Sequence, residues 1–321
     1  MDNFNDFVST KTSILNEIGK AVVGKKDTIE TILAAFLTNC HILFEDFPGL
    51  GKTLIAKSIA QTLGLKFKRI QFTPDLLPQD ITGSFVYEKD EGKFRFREGP
   101  IFTQILLADE INRASPRTQS ALLEAMQEHQ VTVEGVSMQL PRPFLVIATQ
   151  NPIEYEGTFP LPEAELDRFA LKISANYPSF DEEHQILKVR KERKSDDIFL
   201  KPVINEKEFL SLQQKIEEVF IDESIEKYIV TIIQKTRDDN RISVGSSPRG
   251  SLNLFKISRA YAALQGRSYV IPDDVKRFVF EVLSHRIILD PNLWMRKDAH
   301  LEVINSILKS INTPVVEKTG I

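Results

Sequence analysis

The sequence predicts an α/β domain built on a mostly parallel sheet, followed by a smaller domain made of helices. Short runs of consecutive apolar residues recur through the first half of the chain, and helical patterns separate them. Strands that are apolar on both faces and alternate with helices are typical of a parallel sheet covered on both sides. After Tyr177-Pro178 the strand signals fade and apolar residues recur at helical spacing. We therefore expect an α/β core over residues 1–178 and a helical domain over 179–321.

Five segments of the first half have the composition of buried strands. They are HILFE (41–45), KFKRIQF (66–72), QILLAD (104–109), FLVIAT (144–149) and FALKISA (169–175). Two helical patterns precede the first strand over residues 14–37, with a break at Val23-Gly24, and another runs from Thr53 to Leu63. Five such strands with helices between them form one α/β domain.

The second half is dominated by amphipathic helical patterns. Residues 223–237 place Ile225, Ile229 and Ile232 on one helix face. Further helices are predicted over 251–265, 273–284 with Pro272 at its start, and 298–311. The charged run KVRKERKSDD (188–197) is a predicted solvated helix end or loop.

The composition excludes several classes of protein. The 42% hydrophobic and 27% charged content of this 321-residue chain is that of a globular protein, not of a disordered or collagenous one. A net charge of −4 argues against a general nucleic-acid or membrane-surface binder. The single cysteine, Cys40, excludes an intrachain disulfide and a cysteine-rich zinc site. Without a signal-peptide pattern or an apolar run of about 20 residues, the expected location is the cytoplasm.

The segment Pro48-Gly49-Leu50-Gly51-Lys52-Thr53 has the strand-before, helix-after context of a phosphate-binding loop. Glycines let backbone N–H groups converge on phosphate oxygens, and a helix N-terminus adds partial positive charge. Lys52 can reach the β and γ phosphates, and the Thr53 hydroxyl can ligate Mg²⁺. We predict that the nucleotide site extends to Leu54. The alternative interpretation of the whole segment is an ordinary turn without a bound phosphate.

The first glycine of the usual phosphate-loop pattern is replaced by Asp46. An aspartate tolerates turn geometry but brings negative charge towards phosphates. We expect its carboxylate to point away from the nucleotide and to bind the loop's own backbone. The alternative is a loop with weak affinity for ATP.

Two carboxylates, Asp109 and Glu110, end the third predicted strand. Side chains alternate along a strand, so the two point in different directions. Asp109 can hold Mg²⁺, and Glu110 can activate an attacking water. The alternative interpretation is the start of a solvated loop.

Two further polar residues lie at the fourth and fifth predicted strands. Asn151 closes the segment FLVIATQN and can align the water with the γ-phosphate, although Asn151-Pro152 is also a common turn pair. Arg168, just before the last strand, is a candidate arginine finger for a neighbouring subunit's γ-phosphate, and a solvated or salt-bridged arginine within its own subunit is the alternative. Arg113 and Arg117 are alternative interface arginines.

Arg249 begins a predicted helix of the second domain, after Ser246-Ser247-Pro248. A cation at a helix N-terminus opposes the helix dipole, so it needs another reason to be there. A phosphate held by the first domain is such a reason. A surface arginine paired with a carboxylate is the alternative.

Together these segments resemble the MoxR family of AAA+ ATPases. The resemblance is carried by VVGKK (22–26), HILFEDFPGLGKT (41–53), FTPDLLPQDITG (72–83), the stretch from EGPIF at residue 98 through LLADEINRASPRTQ to the HQVTV run, PFLVIATQNPIEYEGTFPLPEAELDRF (143–169) and SSPR (246–249). An aspartate at position 46 is common in this family's loop.

The resemblance implies an AAA+ core with strand order 5-1-4-3-2 and a helical lid, with ATP between them. Val23 and Gly24 would lie near the adenine. Residues 83–100 would be the family's insert in helix 2, and residues 128–140 a hairpin, both facing a ring pore or a partner. It also implies a chaperone-type ATPase that forms a homo-oligomeric ring, generally a hexamer, and often serves a client with a von Willebrand factor A domain.

Two other function classes stay open at this stage. A nucleic-acid-stimulated AAA+ motor would need a basic pore hairpin, and EHQVTVEGVSMQL (128–140) has no lysine or arginine. The other insert does carry Lys93, Arg95 and Arg97. An ATP-switched scaffold with little turnover is disfavoured because Glu110 is intact.

Overall fold

The central sheet has five parallel strands in the predicted order. The computed structural model describes residues 4–151, 157–195, 198–296 and 298–314. The sheet strands are β1 (Ile42–Glu45), β2 (Phe67–Gln71), β5 (Ile105–Asp109), β8 (Leu145–Gln150) and β9 (Leu171–Ile173). They are arranged β2-β5-β8-β1-β9, and every adjacent pair is parallel. Counting only these strands, the order is 5-1-4-3-2, which confirms the fold expected from the resemblance.

The sheet separates two apolar cores, and this explains its continuous apolar strands. Ile42 and Phe44 face one core, whereas Leu43 between them faces the other. Alternate side chains of a strand point to opposite faces, so a strand covered on both sides must be apolar throughout. The first core includes helices α1 (Asn5–Ile18), α2 (Lys26–Leu37) and α3 (Lys52–Thr62), and the second includes α5 (Pro116–Glu128).

Two antiparallel hairpins extend from the core at the predicted inserts. The first pairs β3 (Gly83–Glu88) with β4 (Lys93–Glu98), directly after the short helix α4 (Pro78–Thr82). The second pairs β6 (Gln130–Val133) with β7 (Val136–Gln139). A short helix α6 (Glu163–Leu166) precedes β9.

The second half is mainly helical, with small departures from the prediction. Its helices are α7 (Phe180–Arg193), α8 (Glu206–Ile216), α9 (Glu223–Asp238), α10 (Pro248–Leu264), α11 (Pro272–Lys276), α12 (Val279–Leu283) and α13 (Ala299–Ser310). The region predicted as one helix over 273–284 is two short helices. An unpredicted antiparallel pair joins β10 (Ile242–Val244) to β11 (Ile288–Leu289). No residue of α7 is buried, in agreement with the charged character of its C-terminal half.

The helical domain packs on the N-terminal helices of the core. Its apolar side chains join those of α1, α2 and α3 in one continuous cluster. Gln213 donates a hydrogen bond to the carbonyl of Phe36 at 2.7 Å, and Arg277 donates one to the hydroxyl of Thr31 at 3.2 Å. This packing determines where the N-terminus of α10 lies relative to the core.

Some predicted features lie outside the described residues: Pro152, the segment 153–156, the Asp196-Asp197 end of the charged run, and the tail after residue 314. Among the described helices, none has the length and apolar character needed to cross a bilayer.

Candidate active site

Three predicted site segments meet at the C-terminal edge of the sheet. The phosphate loop follows β1, Glu110 follows β5, and Asn151 follows β8. The carboxyl ends of parallel strands share one edge, and β8 alone separates β1 from β5. At about 4.8 Å between strands, the loop and the Asp109-Glu110 pair are about 10 Å apart, a span that a triphosphate and its metal can bridge.

The phosphate loop bends at two glycines with left-handed backbone. Gly49 has φ +84° and Gly51 has φ +82°, although a Cβ at either position would meet no atom within 4 Å. The requirement for glycine here is therefore conformational and not steric. Leu50, Thr53 and Leu54 are half-buried beside this turn, and Pro48 is exposed.

The Lys52 side chain is buried and folds back over the loop. Its Nζ donates hydrogen bonds to the carbonyls of Asp46 at 2.9 Å and Phe47 at 3.1 Å. Burial lowers the pKa of Lys52, and the charges of Asp46, Asp109 and Glu110 oppose that shift. Asp109 and Glu110 are therefore close enough to Lys52 for their charges to act on it.

Asp46 ties the loop to the backbone around it. Its Oδ1 accepts a hydrogen bond from the Phe47 N–H at 3.0 Å. Its Oδ2 accepts hydrogen bonds from the N–H groups of Ala175 at 2.5 Å and Asn176 at 3.2 Å, just beyond β9. The carboxylate is buried and engaged on both oxygens, so it acts on the backbone of its own chain.

The Asp109 carboxylate is oriented by two neighbouring strands. Thr149 of β8 donates to Oδ1 at 2.6 Å, and Arg69 of β2 forms a salt bridge with Oδ2 at 2.6 Å. Thr149 also accepts the N–H of Glu110 at 2.8 Å, and Glu110 has left-handed backbone, φ +56°. The chain thus turns sharply between the two carboxylates, which lets their side chains diverge.

The Glu110 carboxylate is held by its own chain. Gln71 donates to its Oε2 at 2.6 Å, and Arg113 forms a salt bridge with the same oxygen at 3.0 Å. Of the alternative interface arginines, Arg113 therefore lies at the phosphate-loop edge, whereas Arg117 is exposed on α5.

Sequence reasoning missed Arg69, Gln71 and Thr149. A signal for the first two was available: they are spaced i, i+2 at the end of β2, on the strand that pairs with β5. Side chains at that spacing share a face of the sheet, so polar residues there can reach the end of the next strand.

Asn151 is buried at the end of β8, where its carbonyl accepts a hydrogen bond from the Asn112 side chain at 3.4 Å.

At the predicted adenine region, Gly24 has φ +67°, and a Cβ there would collide with the Glu182 side chain of α7. Val23 is half-buried beside it. The left-handed backbone favours glycine here, and a larger residue would also displace the end of the Glu182 side chain.

Arg168 lies at the opposite, N-terminal edge of the sheet. It precedes β9, and Ala170 next to it donates a hydrogen bond at 2.9 Å to the carbonyl of His41, which precedes β1. The five residue steps from His41 to Asp46 span about 16 Å at 3.3 Å per residue. Arg168 is therefore remote from the phosphate loop of its own chain.

Arg249 is at the same N-terminal edge, which corrects the expectation that it reaches a phosphate held by its own core. Its Nη1 lies 3.6 Å from Oδ2 of Asp167. The physical reason is the packing of the helical domain: α10 lies against α2 and α1, so its N-terminus meets the start of β9. This contact with Asp167 is the carboxylate pairing named above as the alternative, and it leaves a role towards another copy open.

Arg168 and Arg249 line one pocket of about 210 Å³ at this edge. Lys256, two turns along α10 from Arg249, adds a third cation, and Asp167 is the carboxylate among the lining residues. His41 also lines the pocket, and burial lowers its pKa to about 4, so it is neutral at pH 7. The pocket therefore carries excess positive charge and suits an anion.

The C-terminal edge has the donor set that Mg²⁺ prefers. Asp109 and Thr53 offer hard oxygen donors, and Oδ1 of Asp109, which accepts the Thr149 hydroxyl, has a second lone pair for a cation. Among the described residues, no group of three or more histidine, cysteine or carboxylate side chains could hold a metal ion alone. This fits a cation that is shared with phosphate oxygens and water.

Two family models match the chain. The model of the ATPase family associated with various cellular activities (AAA) matches residues 41–171, and the AAA lid domain model matches residues 234–304. The chain is 49% identical over 302 residues to the uncharacterized protein YeaC of Bacillus subtilis, covering 94% of each. It is 38% identical over 318 residues to chaperone MoxR1 of Mycobacterium tuberculosis, covering 96% of this chain and 84% of that protein. The crystal structure of a candidate ATPase from Cytophaga hutchinsonii has a TM-score of 0.90 and 38% identity, covering 97% of both chains.

Proposed function

The chain belongs to the MoxR family of AAA+ ATPases and has a chaperone-like role, and we propose that it hydrolyses ATP between neighbouring copies arranged as a hexameric ring. The observation that carries this proposal is the separation of the charged groups. The phosphate loop and its carboxylates occupy one edge of the sheet, and Arg168 with Arg249 occupies the other. One chain thus offers two half-sites that a head-to-tail contact would join.

In this arrangement the C-terminal edge binds ATP and prepares the water. Lys52 and the loop N–H groups bind the β and γ phosphates, with Val23 and Gly24 near the adenine. Thr53 and Asp109 would hold Mg²⁺, which would neutralise charge on the phosphates. Glu110 accepts a proton from the attacking water, which Asn151 aligns.

The N-terminal edge of the next copy supplies the remaining positive charge. Arg168 acts as the arginine finger on the γ-phosphate, and Arg249 joins it from the helical lid. Both arginines line one pocket, which supports a joint action on the same phosphates. Arg249 is thus proposed to contact the phosphates bound by a neighbouring copy and not those bound by its own core.

A mixing experiment tests this proposal. Lys52→Ala removes the phosphate loop's lysine but leaves Arg168 intact, and Arg168→Ala does the reverse. Each variant alone should be inactive. In a randomly assembled 1:1 mixture, roughly a quarter of the interfaces join an intact phosphate loop to an intact Arg168, and activity should return at these interfaces. If the mixture stays as inactive as its components, hydrolysis does not occur between copies.

We propose that the hairpins transmit hydrolysis to a client protein in the cytoplasm, for which a von Willebrand factor A domain is one candidate class. Phe94 is 71% exposed and Tyr87 is 51% exposed on the β3–β4 hairpin, and exposed aromatic groups favour protein contacts. Glu110→Gln protein held with ATP should retain client proteins that the same protein carrying Phe94→Ser does not.

A nucleic-acid motor is less well supported. Of the three cations on β4, Arg95 lies within 4 Å of Glu88 and Glu91 of its own hairpin. Stimulation of the ATPase by DNA or RNA with a strong salt dependence would favour the motor instead.

A further inference from the structure

Arg286 follows α12 in the helical domain, and its side chain is only 1% exposed. Its Nε donates to Oδ1 of Asp167 at 2.8 Å, and its Nη2 donates to the carbonyl of Asp167 at 3.1 Å. The same guanidinium donates to the carbonyl of Phe169 and, at 3.0 Å, to that of Ala170. One buried side chain of the lid therefore binds the core on both sides of Arg168.

These contacts are built into the fold, since a buried guanidinium is costly unless its donors are satisfied. Burial lowers the pKa of Arg286 to about 10, and the nearby Asp167 charge limits that shift. The side chain therefore keeps its charge at pH 7. The planar guanidinium has five N–H donors in a fixed fork, whereas a lysine ammonium has three, so a lysine cannot replace all of these contacts.

The lid contacts the same core carboxylate at a second place. The Ser247 hydroxyl lies 3.0 Å and 3.3 Å from the two Asp167 oxygens, and Arg249 lies 3.6 Å from one of them. Ser247 is also the N-cap of α10, the helix that carries Arg249 and Lys256. Asp167 is thus the point where two separate lid segments join the turn that bears Arg168.

We propose that Arg286 is a positioning residue that fixes the Asp167–Ala170 turn, so that Arg168 of the core and Arg249 of the lid face a neighbour's nucleotide together. This inference rests on the proposed hydrolysis between copies. It adds that the finger is held by the lid and not by the core alone. A movement of the lid that carries Arg286 with it therefore changes the position of the finger.

The test compares Arg286→Lys with a matched control, Arg259→Lys. Arg259 is also a buried lid arginine. It binds the carboxylate and the carbonyl of Glu217 and the carbonyl of Val219, and the contacts described for it do not include the Asp167–Ala170 turn. Arg286→Lys should lower the ATP turnover number about 100-fold, part of the 10³–10⁵-fold worth of an arginine finger. Its affinity for a fluorescent ATP analogue should stay within about twofold of wild type, because its own phosphate loop is untouched. Arg259→Lys should keep both values.

Complementation separates positioning from loss of structure. Mixed 1:1 with Lys52→Ala, the Arg286→Lys protein should recover activity, because it offers an intact phosphate loop to a neighbour with an intact finger. Mixed with Arg168→Ala it should stay inactive, because both proteins lack a working finger. A parallel loss of nucleotide affinity, or no recovery with Lys52→Ala, would overturn the inference.

Two further arms keep the outcomes distinct. If Arg286→Lys does not fold, Asp167→Asn replaces it, because the amide preserves the shape of the carboxylate while losing its charge, and the same pattern is expected. The Lys52→Ala and Arg168→Ala mixture is run in parallel. If the Lys52→Ala and Arg168→Ala mixture fails to recover activity, hydrolysis between copies is refuted. If that mixture recovers activity but the mixture of Arg286→Lys with Lys52→Ala does not, only the positioning role is refuted.

Discussion

The two edges of the central sheet differ in charge and in what they can do alone. At the C-terminal edge, the charges of Asp109 and Glu110 act on Lys52, and each of these groups has partners within its own chain. At the N-terminal edge, Arg168, Arg249 and Lys256 line one pocket together with a single carboxylate, Asp167. The first edge is suited to hold a nucleotide and the second to stabilise negative charge on it. We call the C-terminal edge the binding half and the N-terminal edge the stimulating half of the proposed site between copies.

The two halves are also supported differently. The C-terminal edge depends on neighbouring strands, since Thr149 and Arg69 orient Asp109 from β8 and β2. The N-terminal edge depends on the lid, since Arg286 and Ser247 bind Asp167 from the helical domain. A moving lid would therefore leave the carboxylates at the strand ends in place and alter the stimulating half.

Arg168→Ala should cause the largest effect and separates the two edges directly. Turnover should fall about 10⁴-fold, within the 10³–10⁵ range for arginine fingers, while ATP affinity stays near wild type. Steady-state hydrolysis and binding of a fluorescent ATP analogue measure the two quantities. Arg117→Ala, at the exposed alternative interface arginine of α5, is compared in parallel and should keep both values if Arg168 is the finger. An equal fall in affinity would mean that Arg168 serves its own nucleotide.

Glu110→Gln should act at the other edge with a somewhat smaller effect. Loss of a general base lowers turnover by about 10³-fold, and the isosteric amide should leave ATP binding unchanged. Hydrolysis and calorimetric ATP titration provide the readouts, with Glu128→Gln as the control on an exposed carboxylate. Turnover equal to wild type with binding preserved would remove Glu110 from its assigned role.

Much of the C-terminal edge was predictable because local sequence and strand direction determine it. Parallel apolar strands must end at one edge, so the glycine loop, Asp109 and Asn151 had to approach one another. The position of Arg249 was not predictable, because it depends on how a whole domain packs against α2. Arg286 was missed because it follows an apolar helix and its partners are mostly backbone carbonyls, which no motif records. A charged residue next to His285 in an otherwise apolar stretch was the available signal.

Acidification should weaken the N-terminal edge through His41. Its Nδ1 accepts the Val146 N–H at 3.1 Å, and its Nε2 lies 3.1 Å from the Met126 carbonyl, so the neutral ring is bonded on both sides. Its folded pKa, about 4, lies below the unfolded value of about 6.5, so the unfolded chain binds the proton first as the pH falls. The stabilisation is complete above pH 6.5 and is lost between 6.5 and 4, amounting to about 2 kcal/mol by pH 5.

Urea unfolding at pH 7.5 and pH 5 measures this loss, with His41→Gln as the non-titrating comparison. The variant should lose about 2 kcal/mol less than wild type between the two pH values. Equal losses would show that other groups account for the acid sensitivity. His129, whose ring centroid is 6.4 Å from that of His41, and the buried His285 also have lowered pKa values, so both proteins should retain a common background slope.

Lys256→Ala tests whether the pocket acts as one anion site. Lys256 shares the pocket with both arginines, and a charge-assisted contact with phosphate would make its loss cost about tenfold in turnover. Lys57→Ala, at an exposed position of α3, is the control and should be neutral. If Lys256→Ala leaves turnover unchanged at low salt, the stimulating half consists of the two arginines alone.

Gln71→Ala should produce the smallest change, and in the opposite direction. The Gln71 amide donates to Oε2 of Glu110 at 2.6 Å, which occupies one of the lone pairs through which this carboxylate could accept the proton of the water. Releasing it should raise basal turnover about fivefold, the equivalent of one net hydrogen bond of about 1 kcal/mol. Arg113 still holds the same oxygen at 3.0 Å, so the gain should stay modest. Because this change lies wholly at the C-terminal edge, it should persist when the variant supplies the phosphate loop to a Lys52→Ala partner. A fall in turnover would instead mean that Gln71 aligns Glu110 for catalysis.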